Sequence, residues 1–165
     1  MTEGIDVEKL SLILWREREL LDTLLYRLEL EQLVLASGRT RWLVRTTQDV
    51  EAVLTTLRET ELLRAIAADE VAEALGLTAN PSLRVLAESM DEPWRTVFTE
   101  HRDAFVALTR EITELADANR GLITAGYRSA RETLLAVGGV ETGYSPDGTA
   151  TTDATARPRL IDRSL

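Results

Sequence analysis

The stretch from Asp91 to Val137 limits the fold more than any other part of the chain. It opens Asp91-Glu92-Pro93-Trp94. An acidic cap there can accept free backbone N–H groups, and a proline at the first helical position removes only an N–H that would be unpaired anyway. From Trp94 the residues Phe98, His101, Phe105, Leu108, Ile112, Leu115, Asn119 and Leu122 recur at alternating steps of four and three. That spacing puts them on one stripe of a helix. The stripe then drifts by one position to Ile123, Tyr127, Ala130, Leu134 and Val137, as a 3.6-residue helix read on a 3.5-residue seam must. A helix of about 45 residues at ~1.5 Å per residue is roughly 65 Å long. It needs a long partner, in this chain or in another.

Two earlier segments can supply one. Asp6 is placed to cap a first helix, in which Leu10, Leu14, Leu21, Leu24, Leu28 and Leu35 hold a stripe with Ile13, Leu20 and Leu25 beside it. Glu17 and Glu31 fall on the same seam, Trp15 falls off it, and Ser37-Gly38 supplies a stop. A second helix is expected from about Thr40 to Leu75, ending at Gly76. Its stripe is Leu43, Thr47, Val50, Leu54, Leu57, Glu61 and Ala65, backed by Val53, Leu62 and Ile66. Long helices joined by short connections become antiparallel neighbours. Arg39, Arg41 and Arg45 surround Trp42 at the turn and read as a solvated basic tip. Asn80-Pro81 restarts the chain for a short helix to about Met90, contributing Leu83, Val85 and Leu86. The expected fold is therefore all-α: three long antiparallel helices with a short extra helix.

After Val137 the character changes. Gly138-Gly139 breaks the helix, and the remainder holds almost no apolar side chains beyond Tyr144 and the closing Leu160-Ile161. Such a segment cannot bury enough surface to offset its ordering entropy. Residues 1–137 are read as a helical domain and 138–165 as a disordered C-terminal tail.

Composition removes most chemistry. There is no cysteine and one histidine among 165 residues, so thiolate chemistry and histidine-based zinc sites are excluded. A net charge of −9 argues against nucleic acid and anionic membranes as partners. No stretch approaches the ~20 apolar residues that span a bilayer, and the acidic start Met1-Thr2-Glu3-Gly4-Ile5-Asp6 is unlike a secretory signal. A cytoplasmic protein without membrane insertion is expected. A phosphotransfer histidine must be exposed and is usually followed within a turn by Lys-Gly. His101 instead lies between Phe98 and Phe105 and is followed by Arg102-Asp103-Ala104, so a packed or rim histidine is expected. Glu111 and Glu114 lack the Glu-x-x-His partner of a carboxylate-bridged metal site. No catalytic, cofactor or metal residues are assigned, and the chain is not read as an enzyme.

Glu114-Leu115-Ala116-Asp117-Ala118-Asn119-Arg120-Gly121-Leu122-Ile123, late in a long C-terminal helix, resembles the FlgN family of flagellar export chaperones. Similar to the family as well are Leu12 with Trp15-Arg16-Glu17-Arg18-Glu19-Leu20-Leu21, Gly38-Arg39-Thr40-Arg41-Trp42-Leu43, Arg58-Glu59-Thr60-Glu61-Leu62 and the tail Tyr144-Ser145-Pro146-Asp147-Gly148. The resemblance covers nearly the whole chain; the segment around Pro81 and Pro93 departs from the usual pattern. Asn119, on the helical seam, is the residue that marks both the family motif and the helix register.

The resemblance implies a binding function. Family members hold hook-associated subunits of the hook–filament junction, prevent their premature assembly and deliver them to the flagellar export gate. A groove between long helices can shelter an amphipathic client segment by helix-in-groove packing. The candidate client surface is Leu122, Ile123, Tyr127, Ala130 and Leu134, although the same face would serve equally as core against the first helix. The resemblance implies that Tyr144 contacts the export gate. Two further readings stand beside it. One is a coiled-coil scaffold self-associating as a homodimer, since long stripes also make dimers. The other is a helical substrate of a specialised secretion system, against which the hairpin turn carries Arg41-Trp42-Leu43-Val44 in place of Trp-x-Gly.

Overall fold

The computed structural model describes residues 2–138, with side chains placed from Asp6 onward. Among the described residues four α-helices follow one another: α1 (Thr2–Ser37), α2 (Leu43–Ala74), α3 (Leu83–Glu88) and α4 (Trp94–Gly138), with a 3-10 turn at Thr40–Trp42 before α2. No strand occurs among the described residues, so the fold is all-α as expected. The chain divides after Ile123 into two compact units. The first holds α1 to α3 and α4 through Ile123; the described part of the second is the helical stretch from Thr124 to Gly138.

In the first unit α1 and α2 form an antiparallel hairpin. Going up α1, Lys9, Glu17, Arg27 and Glu31 meet residues that descend α2. Lys9 Nζ lies 2.7 Å from Glu70, Arg64 Nη1 lies 3.2 Å from Glu17, Arg27 lies 3.6 Å from Asp49, and Thr47 Oγ1 donates to Glu31 at 3.3 Å. The turn works because Gly38 takes φ +68, a left-handed conformation that costs glycine nothing and ends a helix cleanly. Gly76 repeats the device after α2 at φ 68. The long α4 then runs in the same direction as α1. Trp15 and Arg18 meet His101, and further along Leu28 and Glu31 meet Asn119. Successive long helices thus alternate in direction.

Two hydrophobic clusters fill the unit. One joins Val7, Leu10 and Leu14 of α1 to Ala67, Ala68 and Val71 of α2, with Leu86, Ala87, Met90 and Phe98. The other joins Leu20, Leu24 and Leu28 to Val50 and Leu57, with Ile112, Leu115 and Ala116 packed against it. Full burial of one such leucine or phenylalanine stabilises by about 1.5–3 kcal/mol. In α1 the buried positions between the clusters include Glu17, whose carboxylate is paired with Arg64.

Several local expectations are corrected. α1 begins at Thr2, so Asp6 lies inside the helix rather than capping it. The buried side of α2 follows the predicted stripe through Val50 and Leu57 and then shifts to Thr60, Ala67, Ala68, Val71 and Ala72. Leu62 and Ile66 are exposed, as are Glu61 and Ala65. The short helix is capped by Ser82, whose Oγ accepts from Val85 N at 3.2 Å, and not by Asn80. Asn80 takes φ 57 in the preceding turn, where its N–H donates to Asp69 Oδ1 at 2.6 Å. Leu86, Ala87 and Met90 are the buried residues here, whereas Val85 is exposed. At the start of α4 it is Glu92 and not Asp91 whose carboxylate receives a backbone N–H, that of Thr96 at 3.2 Å. The basic tip matches expectation: Arg39, Arg41 and Arg45 are exposed, with Arg41 stacked over Trp42 at 5.0 Å. The expected tail beyond Gly138, with Tyr144, lies outside the described residues.

Candidate functional site

Three residues of α4 are buried: Phe98, His101 and Asn119. They show how α4 is held along α1 and where that hold stops. His101 is fully buried. The Trp15 ring meets it edge-on at 4.9 Å, Phe98 does so at 6.3 Å, and Phe105 stacks on it at 6.3 Å. Arg18 Nη1 lies 3.5 Å from His101 Nδ1. A guanidinium can only donate, so Nδ1 accepts and the ring proton sits on Nε2. Burial, and then the charge of Arg18, lower the His101 pKa from 6.5 to about 4. The ring is therefore neutral near pH 7, a packed histidine with no access for a phosphoryl group. Trp15, off the apolar stripe, is half exposed and carries Arg18 over its ring at 4.3 Å. Its role as a lid on His101 was not readable from spacing, because it depends on the α1–α4 pairing.

About one turn before the unit boundary, Asn119 ties the helices together. Its Nδ2 donates to Leu28 O at 2.9 Å and to Glu31 Oε1 at 3.1 Å. The other oxygen of Glu31 accepts from Thr47 Oγ1 at 3.3 Å. One polar layer thus links α4, α1 and α2 through a buried carboxylate. Shifting α4 by one turn would leave Asn119 Nδ2 and Glu31 Oε1 buried without each other, a cost of about 1–3 kcal/mol for each unpaired group. Asn119 is buried on the seam of α4 with its amide held by α1. Glu31 as its partner was visible only as a charge on an apolar seam.

Beyond Asn119 every described residue of α4, from Arg120 to Gly138, is exposed. The expected client face falls in this part. Leu122 and Ile123 close the first unit at 39% and 45% exposure. Tyr127 and Leu134 in the second are 71% and 72% exposed, with Leu135 and Val137 also open. Among the described residues no cluster of His, Asp or Glu could hold a metal ion, and no helix is long and apolar enough to cross a membrane.

A family model described as FlgN protein matches residues 1–152. The chain belongs to the FlgN family. The match takes in the whole helical hairpin, α3, all of α4 and Tyr144. Comparison with curated proteins and with solved structures gave no match. As a FlgN-family member the chain is a flagellar export chaperone, a binding protein, and the site to explain is a surface that can hold a flagellar subunit.

Proposed function

We propose that this FlgN-family chaperone binds hook-associated subunits of the hook–filament junction, keeps them from assembling early and delivers them to the export gate. The client surface is the face Leu122, Ile123, Tyr127, Ala130 and Leu134 of α4. The observation that supports this reading is the exposure of that face: four large apolar side chains on one helix, from 39% to 72% open. Large apolar groups repeated at helical spacing on a surface mark a place where another chain packs. An amphipathic helix of the subunit, which would otherwise self-assemble, lies along it as a helix docks in an apolar groove.

Burying an isoleucine stabilises by about 1.5–3 kcal/mol, and ~1.4 kcal/mol is tenfold in affinity. Ile123→Asp therefore lowers affinity for a hook-associated subunit at least about tenfold, measured by titration calorimetry, with the melting temperature unchanged. A variant that melts early would place the face in the core. If wild type leaves the solubility and polymerisation of those subunits untouched, the proposed client class is wrong. A concentration-dependent dimer that Ile123→Asp dissolves would favour the self-associating reading instead. The gate contact is assigned to Tyr144, inside the matched range. Tyr144→Ala is expected to preserve stability and client binding while weakening gate binding and client export. Equal gate affinity with and without the tyrosine removes that role.

A further inference from the structure

We propose that the client helix sits asymmetrically on the last turns of α4, its acidic border along Arg131 and Arg128 and its backbone close to Gly126. This rests on the client reading above and specifies the chemistry of what is bound. On a helix turning ~100° per residue, Tyr127, Leu134, Ala130 and Val137 share an arc of roughly 80°. The two edges of that arc differ. Beyond Tyr127 come Arg131, the exposed Leu135 and then Arg128; beyond Val137 come Gly126 and Thr133.

On the first edge, Arg128 and Arg131 are exposed and form no ion pair among the described residues. From residue 124 to 138 the charged side chains are these two arginines and Glu132, a net positive stretch in a chain of net charge −9. Long arginine side chains beside an apolar face lay their stems on it and present the guanidinium at its border. They match a partner whose apolar face is bordered by carboxylates, and they disfavour a second copy of the same face, which would set arginine against arginine.

On the other edge, Gly126 lies in the interior of α4, where an internal glycine weakens a helix relative to alanine. A Cβ added at Gly126 would meet nothing within 4 Å. Packing among the described residues thus gives no reason for glycine there. An approaching helix does, because small residues at a contact let two backbones come close.

The test uses full-length chaperone and a synthetic peptide of an amphipathic terminal helix of a hook–filament junction subunit from the same organism. A second peptide carries glutamine in place of its glutamates and lysine in place of its aspartates. Reversing both charges (R128E with R131E) is expected to lower affinity for the native peptide about tenfold near 50 mM salt, shrinking to about twofold near 500 mM as the charges are screened. The reversed chaperone should bind the altered peptide better than wild type does. Gly126→Leu should lower affinity for both peptides by about tenfold at either salt while leaving the helix content unchanged or higher. Wild-type binding that Ile123→Asp weakens but charge reversal and Gly126→Leu leave intact overturns the asymmetric seating and spares the client surface. Loss at one edge only also overturns it. Absence of any wild-type binding overturns both.

Discussion

Removing the guanidinium of Arg64 should expose the cost of the carboxylate buried at Glu17. Glu17 is 4% exposed, Arg64 Nη1 stands 3.2 Å from its Oε1, and its Oε2 has no hydrogen-bond partner among the described residues. Burial raises the Glu17 pKa above 4.5; Arg64 pulls it back and Glu61 pushes it further up. Breaking a fully buried pair costs about 3–5 kcal/mol, and an exposed pair is worth about 0–1. The Arg64 side chain is 35% exposed, so Arg64→Ala should cost roughly 2 kcal/mol at pH 7, between those limits. The sign of its pH dependence follows from linkage. An acid whose folded pKa is raised binds protons more readily folded than unfolded, so its penalty is full above the folded pKa and fades as pH falls toward 4.5. Without Arg64 that pKa rises further, and the deficit of the variant relative to wild type should shrink on acidification. Urea unfolding of wild type, Arg64→Ala, Glu17→Gln and the double variant at pH 7 and pH 5 measures it. In the Glu17→Gln background, removing Arg64 should cost less than about 1 kcal/mol, a coupling typical of residues in contact. A loss from Arg64→Ala that is the same at both pH values and in both backgrounds would refute the reasoning.

The remaining predictions concern the α1–α4 contact. His101 is the single histidine, so its ring proton can be followed by NMR without assignment; with its pKa lowered to about 4, the resonance should stay flat from pH 8 to pH 5. Because the folded pKa lies below the unfolded 6.5, stability gained from a neutral His101 is full above pH 6.5 and is lost as pH falls toward 4, and His101→Phe should reduce that acid sensitivity. A titration midpoint near 6.5 would mean the ring is hydrated. Asn119→Ala deletes both hydrogen bonds that hold Leu28 and Glu31 and should cost about 2 kcal/mol in urea unfolding; restoring most of that by adding Glu31→Leu would show that the stranded carboxylate is what costs stability.

The sequence by itself determined the elements and much of the seam. Helix lengths follow from unbroken periodicity ended by Gly38 and Gly76, because helical spacing and a left-handed glycine are local properties of the chain. The α4 stripe is legible for the same reason: its aromatic and aliphatic residues contrast with a charged opposite face, and Phe98, His101 and Asn119 are buried on it. Only the tertiary structure decided which side of α2 is buried beyond Leu57. There, leucines and alanines occupy several sides of the helix, and hydropathy favours Leu62 and Ile66. Yet Ala67, Ala68 and Val71 face the core that holds Phe98 and receives Trp94 and Phe105. A close-packed interior selects for volume as well as polarity, and small residues fill the space opposite large rings. Partners across helices were likewise invisible in one dimension. Glu17 with Arg64, and Glu31 with Thr47 and Asn119, depend on the antiparallel register of α1 with α2 and the parallel run of α1 with α4. The exposed end of α4 has the same origin: its apolar stripe continues past Asn119 with a one-position drift, and whether such a face is core or surface depends on what packs against it, which period alone does not encode.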